Sequence, residues 1–273
     1  MSALEQWRLI VDAPAAGAHN MAVDHAILEA VIAGAAPPTL RLYQWRPTCL
    51  SLGYGQRARE TDLERLAEYG FGIVRRPTGG QAVLHANELT YSIALPASHP
   101  LAQGSIVESY RRLSDGLIAG LKGLGMVVRA EPLLARLPSH PPVVCFESAS
   151  DYEITCNGRK LVGSAQMRKR GGILQHGSLP LFGDTAQICE VLRYDTETAR
   201  QDARESVRDR ATTLAAETHA APSFDQVAAS LAEALAAAYE VQFARQALDE
   251  DERARALVLE EQVYDSNSWT FRR

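Results

Sequence analysis

The chain has 273 residues, of which 46% are hydrophobic and 22% are charged, and its formal net charge is −5. This length and composition are typical of a globular protein that can bury a sizeable core without disulfides. The negative charge argues against non-specific nucleic-acid binding by the whole chain. The first ten residues show no signal-peptide pattern, and no apolar stretch is long enough to span a membrane, so a cytoplasmic protein is expected.

Four cysteines are present, and no two of them form a CxxC pair. They are Cys49, Cys145, Cys156 and Cys189. This spacing provides neither a disulfide framework nor a zinc-ligand pattern. We therefore predict no metal site, and free thiols in a reducing compartment.

Hydrophobic periodicity predicts three strands and one helix in the first 60 residues. The helix carries apolar residues at helical spacing, and Asn20 is its predicted N-cap. The strand segments alternate, or run apolar between turn residues. The segments are a strand at 7–11, a helix at 20–33 and two neighbouring strands at 40–45 and 50–54.

Capping sequences mark the later helices. Thr61 to Glu64 predicts a capping box for a helix that Gly70 ends, and Ser105 to Glu108 predicts another. Ser223 to Gln226 gives the same pattern before an alanine-rich helix. The predicted helices are 61–69, 105–123, a segment from 223 and a final one at 249–262.

The segment from 151 to 181 has the pattern of a β-meander. Asn157-Gly158 is the strongest short-range hairpin signal, and a two-residue turn there places Lys160 opposite Thr155. The chain becomes charged and helical from about residue 184. One domain spanning 1–273 with an α+β fold, in which helices pack on a mixed or antiparallel sheet, fits this order best.

The most informative stretch is VRRPTGGQAVLH, from Val74 to His85. It predicts a strand, a glycine loop and a second strand. Glycines let a backbone approach a ligand closely, and successive N–H groups can form an anion-binding nest. Arginines beside such a loop add positive charge aimed at a phosphate or a polarised carbonyl. An ordinary β-turn with arginines facing solvent is the alternative.

Three further residues are candidates for chemistry. Cys145 follows a proline-rich loop and precedes a strand, a position where a thiol can act as a nucleophile if its pKa is lowered. Lys160 lies just after the hairpin turn, and its charge beside Cys145 would favour the thiolate. His176 lies in an apolar strand. The alternatives are a buried small cysteine, a solvated strand lysine and a hydrogen-bonded core histidine.

Four segments resemble the lipoate–protein ligase and octanoyltransferase family over nearly the whole chain. They are RRPTGGQAVLHANELTYS, VVCFESASDYEI, NGRKLVGSAQMRKRGGILQHGSL and YDSNSW. The resemblance implies the biotin/lipoate protein ligase-like α+β fold, a mixed, largely antiparallel sheet flanked by helices. A cysteine fifteen positions before a lysine, here Cys145 and Lys160, is similar to the octanoyltransferases of the LipM type.

The resemblance also implies roles for individual residues. Cys145 would be the catalytic nucleophile, and Lys160 would lower its pKa. The glycine loop looks like the acyl-binding loop of the family, and the segment GRKLVGSAQ, which contains Lys160, looks like its lysine strand. The implied substrate-binding residues are Arg75, Arg76, Gly79, Gly80, His85, Ser164, Gln166, His176 and Gly177.

The implied reaction moves octanoate between two carrier proteins. The donor would be the octanoyl-phosphopantetheine of acyl carrier protein, and the acceptor a lysine of a lipoyl-domain protein such as the glycine cleavage H protein. No cofactor is implied, because the donor is already a thioester. An ATP-dependent lipoate–protein ligase and a catalytically inactive carrier-binding protein are the alternatives.

Both carriers are expected to be acidic, whereas this chain is itself negatively charged. Encounter would then require basic residues gathered on one surface. A solvated turn is the alternative explanation for the run at 168–170. The candidates for a basic surface are Arg75, Arg76, Arg168, Lys169 and Arg170.

Overall fold

The computed structural model describes residues 4–131, 153–169, 171–220 and 222–273. Strands and helices follow one another along the chain, and a label is given to each. The strands are β1 Glu5–Val11, β2 Thr39–Tyr43, β3 Cys49–Leu52, β4 Gly72–Arg75, β5 Val83–His85, β6 Glu88–Pro96, β7 Val128–Glu131, β8 Glu153–Cys156, β9 Arg159–Lys169, β10 Gly172–Pro180 and β11 Val241–Arg245. The α-helices are α1 Gly17–Ala33, α2 Leu63–Glu68, α3 Ile106–Gly123, α4 Glu197–Arg210, α5 Leu214–Thr218, α6 Phe224–Tyr239, α7 Glu250–Leu259 and α8 Asn267–Thr270.

Two sheets organise the described residues. The larger has eight strands in the order β11-β1-β2-β6-β10-β9-β8-β7, and the smaller has the order β4-β3-β5. In the larger sheet β1 is parallel to β11 and β2, whereas the other pairings are antiparallel. The predicted α+β fold with a mixed, largely antiparallel sheet is therefore confirmed.

Helices cover both faces of the larger sheet, because its central strands are apolar on both sides. Along β6, Leu89 and Tyr91 pack in the cluster that contains α3 and α6. Ala94 packs on the opposite face with α1 and α7. This follows the strand rule that successive side chains point to opposite faces. Thr90 and Ser92 share the α1 face, where they meet the polar groups described below.

Two of the predicted capping boxes and the predicted hairpin are found in the structure. Ser105 and Glu108 form the predicted capping box of α3, and Ser223 and Gln226 form that of α6. The Asn157-Gly158 hairpin joins β8 to β9, and Lys160 pairs with Thr155 as predicted. Within the described part of the chain, no helix is long and apolar enough to cross a membrane.

Two predicted helix starts were wrong. Helix α1 begins at Gly17 rather than after Asn20, whose buried side chain instead donates to the carbonyls of Ala15 and Gln44. The Asn20 amide thus holds the chain entering the helix rather than capping it. Helix α2 is capped by Asp62 instead of Thr61, because the Asp62 carboxylate accepts from the Arg65 N–H at 3.2 Å.

The predicted pairing of the strands at 40–45 and 50–54 was also wrong. Strand β2 has β1 on one edge and β6 on the other, so it offers no edge to β3. Strand β3 pairs instead with β4 and β5 in the smaller sheet. The part of the chain after residue 184 is largely helical but also contributes β11, which pairs in parallel with β1.

Candidate active site

A cavity lies where the smaller sheet meets the middle strands of the larger sheet, and Gly79 and Gly80 of the glycine loop are not part of its lining. It encloses about 370 Å³, its open mouth included. Its wall combines apolar side chains, such as those of Met21 and Val83, with polar groups. Five of the predicted site residues line it: Arg76, His85, Ser164, His176 and Gly177.

His85, at the end of β5, is held from three sides. Its Nδ1 lies 2.7 Å from Glu88 Oε1, and its Nε2 lies 2.8 Å from Ser51 Oγ. The ring stacks on the Trp45 indole, with centroids 3.9 Å apart and planes within 9°. Serine, histidine and carboxylate thus form a continuous hydrogen-bonded row that opens on the cavity through Ser51 and His85. Such a row fixes the tautomer and orientation of the imidazole.

Glu88 anchors this row from inside the protein. Its carboxylate is almost completely buried and accepts hydrogen bonds from the Thr90 and Ser178 hydroxyls as well as from His85. Burial alone would raise the pKa of Glu88, but the electrostatic interaction with His85 and these hydrogen bonds lower it. The carboxylate is therefore ionised at neutral pH.

We expect Glu88→Gln to lower the free energy of unfolding by about 2–3 kcal/mol at pH 7, because an amide cannot accept all these hydrogen bonds. The low pKa of Glu88 means that its contribution is present above the unfolded pKa and is lost as pH falls through the folded pKa. The difference from wild type should therefore shrink below about pH 4. Denaturant unfolding at several pH values measures this, with the exposed Glu233→Gln as control. A pH-independent difference would contradict it.

A second buried network lies under the other wall of the cavity. Asp24 of α1 accepts from Arg41 Nη1, the Tyr43 hydroxyl and Ser92 Oγ, each at 2.8 Å. His176 Nδ1 lies 3.5 Å from Asp24 Oδ2, longer than an ordinary hydrogen bond. Burial raises the pKa of Asp24, but its interactions with His176 and Arg41 outweigh this and lower it.

His176 connects this network to the glycine loop. Its Nε2 lies 2.7 Å from Thr78 Oγ1, in the loop between β4 and β5. Burial lowers the pKa of His176, and the nearby Arg76 and His85 act in the same direction, against the opposing effect of Asp24. A neutral imidazole at physiological pH can hold the loop in place through Thr78.

Arg76 binds the glycine loop directly. Its Nη2 donates to the Gly79 and Gln81 carbonyls at 2.8 and 2.7 Å, and its Nη1 donates to Ser51. Gly80 has φ +90°, a conformation that favours glycine. The loop thus closes around a buried guanidinium at the cavity wall.

Arg75 points away from the cavity. Its Nη1 donates to the Gly53 and Gln56 carbonyls, and its Nε donates to Thr270 O at 3.0 Å. It therefore joins the segment after β3 to α8. Gln166 also lies outside the cavity lining, bonded to Ser109 and to Gln175.

Lys160, at the start of β9, is buried, and its Nζ donates to the Glu153 carboxylate across the hairpin. Ser164 lies further along the same strand at the cavity, where its Oγ accepts from the Tyr91 hydroxyl at 2.7 Å. The strand thus carries Lys160 and the cavity-lining Ser164 on one rigid element. Cys145 lies outside the described residues.

The prediction of a basic surface was wrong in part. Arg75 and Arg76 are buried, so they do not present their charge to a partner. Arg168 donates to the Ala102 and Ser105 carbonyls, and Lys169 pairs with Glu29. Arg170 lies outside the described residues.

No group of three or more His, Cys, Asp or Glu able to hold a metal occurs in the described part of the chain.

Comparison with known proteins identifies the family of this chain. The profile of the lipoyl protein ligase A/B catalytic domain matches residues 16–236. The chain belongs to this family. A protein of Kyrpidia tusciae named octanoyltransferase LipM is 42% identical over 99% of this chain and 100% of that protein. The protein of the same name from Brevibacillus brevis is 38% identical over 99% and 100%. The predicted LipM-type kinship and the predicted acyltransferase class are confirmed.

Solved structures show the same fold. A bipartite lipoate protein ligase from Thermoplasma acidophilum has a TM-score of 0.81 at 23% identity and covers 98% of this chain and 96% of that one. A lipoate-protein ligase A bound with ATP has a TM-score of 0.80 at 23% identity, with 97% and 98% covered. These similarities confirm the lipoate ligase-like fold of the family member described here.

The buried polar networks in and beside the cavity were not predicted from the sequence. Ser51 was assigned only to a strand and Asp24 only to a helix, and Glu88 was not among the candidate residues. Their signal was a polar residue inside an apolar segment, which predicts burial only when a partner is also known. Ser51 bonds to His85, 34 residues away, and the hydrogen-bond partners of Asp24 lie 17 to 68 residues away along the chain, so local patterns could not reveal them.

Proposed function

We propose that the protein is an octanoyltransferase that moves octanoate from acyl carrier protein to a lysine of a lipoyl-domain protein, such as the glycine cleavage H protein. The observation that carries this proposal is the full-length similarity to proteins named octanoyltransferase LipM. The cavity and the buried Lys160 support it. Such a reaction belongs in the cytoplasm.

The proposed transfer has two steps. The Cys145 thiolate attacks the carbonyl carbon of the donor thioester, the C–S bond to phosphopantetheine breaks, and that thiolate takes up a proton. The neutral ε-amine of the acceptor lysine then attacks the octanoyl-Cys145 thioester and loses a proton as the Cys145 thiolate leaves. The covalent intermediate separates the two carriers in time. No ATP is consumed, because the donor is already activated.

The glycine loop would serve both steps. Each passes through a tetrahedral oxyanion, which backbone N–H donors of Gly79 and Gly80 would stabilise. Arg76 holds this loop through its carbonyls, so the donors need no reorganisation during the reaction. The apolar part of the cavity wall would take the alkyl chain, at roughly 0.8 kcal/mol for each buried CH₂.

The direct test is mass spectrometry of the protein after incubation with octanoyl-acyl carrier protein and no ATP. We expect one octanoyl adduct, on Cys145, which an apo lipoyl-domain protein then removes. The alternative function is an ATP-dependent lipoate–protein ligase, as in the structural relative bound with ATP. Lipoate loading that requires ATP and is unaffected by Cys145→Ala would establish that alternative and reject the transferase.

Lys160→Ala should slow acylation of Cys145 most strongly at neutral pH and less at alkaline pH. A free cysteine with a pKa near 8.5 is only about 3% thiolate at pH 7, and a one-unit decrease raises this to roughly a quarter. Losing the ammonium would therefore cost about eightfold in thiolate. Alkylation of Cys145 as a function of pH measures this effect. Lys160→Arg keeps the charge in a different shape and should rescue only partly.

Glu153→Gln should shift the alkylation pKa of Cys145 in the direction opposite to Lys160→Ala. The Glu153 carboxylate accepts from Lys160 Nζ, so it offsets part of the positive charge. Removing the carboxylate charge should lower the alkylation pKa, whereas Lys160→Ala should raise it. Equal alkylation pKa values in all three proteins would show that Lys160 does not activate the thiol.

A further inference from the structure

Several arginines lie together on the surface beside the glycine loop. Arg57, Arg59 and Arg273 line a shallow depression. The Arg272 guanidinium lies next to them along the chain and covers the Tyr54 ring, with 3.7 Å between Cζ and the ring centroid. We call these four residues, Arg57, Arg59, Arg272 and Arg273, the arginine face.

The arginine face gathers four positive side chains that have no paired carboxylate among the described residues. Some other arginines on the surface pair with carboxylates, such as Arg204 with Glu190 and Arg208 with Asp184. Within the described ranges, no carboxylate forms an ion pair with any member of the arginine face. Positive charge is thus uncompensated here on a protein whose formal net charge is −5.

A nearby buried group responds to this charge. The pKa of Arg75 is lowered, first by burial and then by the positive charges of Arg272 and Arg273. The positive charges of Arg272 and Arg273 are therefore close enough to act on Arg75. An anionic partner would reduce this repulsion on docking.

The arginine face is joined to the cavity through a short segment of backbone. Tyr54 N donates to Thr78 O at 2.8 Å, in the glycine loop. Arg75 Nη1 donates to the carbonyls of Gly53 and Gln56, immediately before Arg57. A protein seated on the arginine face would therefore lie next to the glycine loop, which is joined to the cavity-lining His176 through Thr78.

We propose that the arginine face is the docking surface for the acidic carrier protein that delivers the acyl group. This inference rests on the proposed function, because it assigns the donor of that reaction to a surface. Exposed arginines facing carboxylates accelerate encounter and fix orientation, with little cost when both sides remain solvated. The arginine face is built from arginines other than those that the sequence predicted for a basic surface.

The test compares two double variants in which basic residues are replaced by glutamate, with the same change in net charge. Arg57→Glu/Arg59→Glu alters the arginine face, whereas Lys122→Glu/Arg245→Glu alters exposed residues on α3 and β11. We expect the first double to lower kcat/KM for octanoyl-acyl carrier protein at least tenfold at low salt and to flatten its salt dependence. The second double should change kcat/KM less than twofold.

A protein-free donor separates docking from chemistry. Octanoyl-N-acetylcysteamine needs no carrier surface, so both doubles should be acylated by it at the wild-type rate. Equal losses of kcat/KM in the two double variants would overturn the docking proposal. A wild-type kcat/KM of the Arg57→Glu/Arg59→Glu protein with octanoyl-acyl carrier protein would overturn it too. Either result would leave the transferase proposal standing. Failure of the wild-type protein with both donors would instead reject the proposed function. Competition by an oligonucleotide but not by apo carrier protein would also overturn the docking proposal.

Discussion

Cys145→Ser is expected to eliminate the octanoyl-enzyme and to lower octanoyl transfer at least 10³-fold at neutral pH. A serine hydroxyl in this place is almost entirely protonated, whereas a cysteine is partly thiolate and intrinsically more nucleophilic. The change in side-chain volume is small, so loss of folding would not explain the result. Intact-protein mass spectrometry and single-turnover transfer measure the two effects.

The other cysteines provide internal controls. Cys49 is completely buried, and burial, followed by the charge of Glu88, raises its pKa to about 12. Burial raises the pKa of Cys156 to about 11, reinforced by its hydrogen bond to Glu217. Cys156→Ser should therefore keep both loading and transfer, since its hydroxyl can still donate to Glu217. Peptide mapping that located octanoate on Cys49, Cys156 or Cys189 would refute the assignment of Cys145.

Gly53→Ala should reduce acyl loading at least 10²-fold in a protein that still folds. A Cβ built on Gly53 would lie only 1.8 Å from Gly80 O and 2.8 Å from Gly80 C, both backbone atoms. The glycine loop would have to move away from the segment after β3, and the proposed oxyanion donors would move with it. The rate of octanoyl-enzyme formation measures the loss, and circular dichroism checks the fold.

Gly80→Val should have a similar effect for a different reason. Gly80 has φ +90°, which a branched residue rarely adopts, and an added Cβ would lie 2.9 Å from Arg76 Nη2. Gly55→Ala is the matched control, since its Cβ meets nothing within 4 Å. Wild-type loading by a folded Gly53→Ala protein, or loss of loading in Gly55→Ala, would show that close packing of the loop is not required.

The sequence predicted most elements because their signals are local. The capping boxes at Ser105 and Ser223 need only the side chain and backbone of residues three apart. The Asn157-Gly158 turn likewise fixed the register of Lys160 against Thr155. The glycine loop was predicted because proline and paired glycines between two apolar runs are local turn signals.

The errors arose where longer-range packing overrides local preference. Asn20 is a good N-cap residue, but its amide is used to hold the chain before α1. Strand β3 follows β2 in sequence, yet β2 has both edges occupied. Arg75 and Arg76 are adjacent, but one binds carbonyls near α8 and the other binds the glycine loop.

The sequence predicted the glycine loop and the pairing register of Lys160 because each depends on residues close together in the chain, and it predicted the family from four segments spread over nearly the whole chain. The hydrogen-bond partners of the polar groups in and beside the cavity depend on the tertiary structure. Ser51, His85 and Glu88 form one row because β3, β5 and β6 converge there, and Asp24 reaches His176 across 152 positions of sequence. Buried polar groups must find partners wherever the fold provides them, and no local pattern encodes that choice.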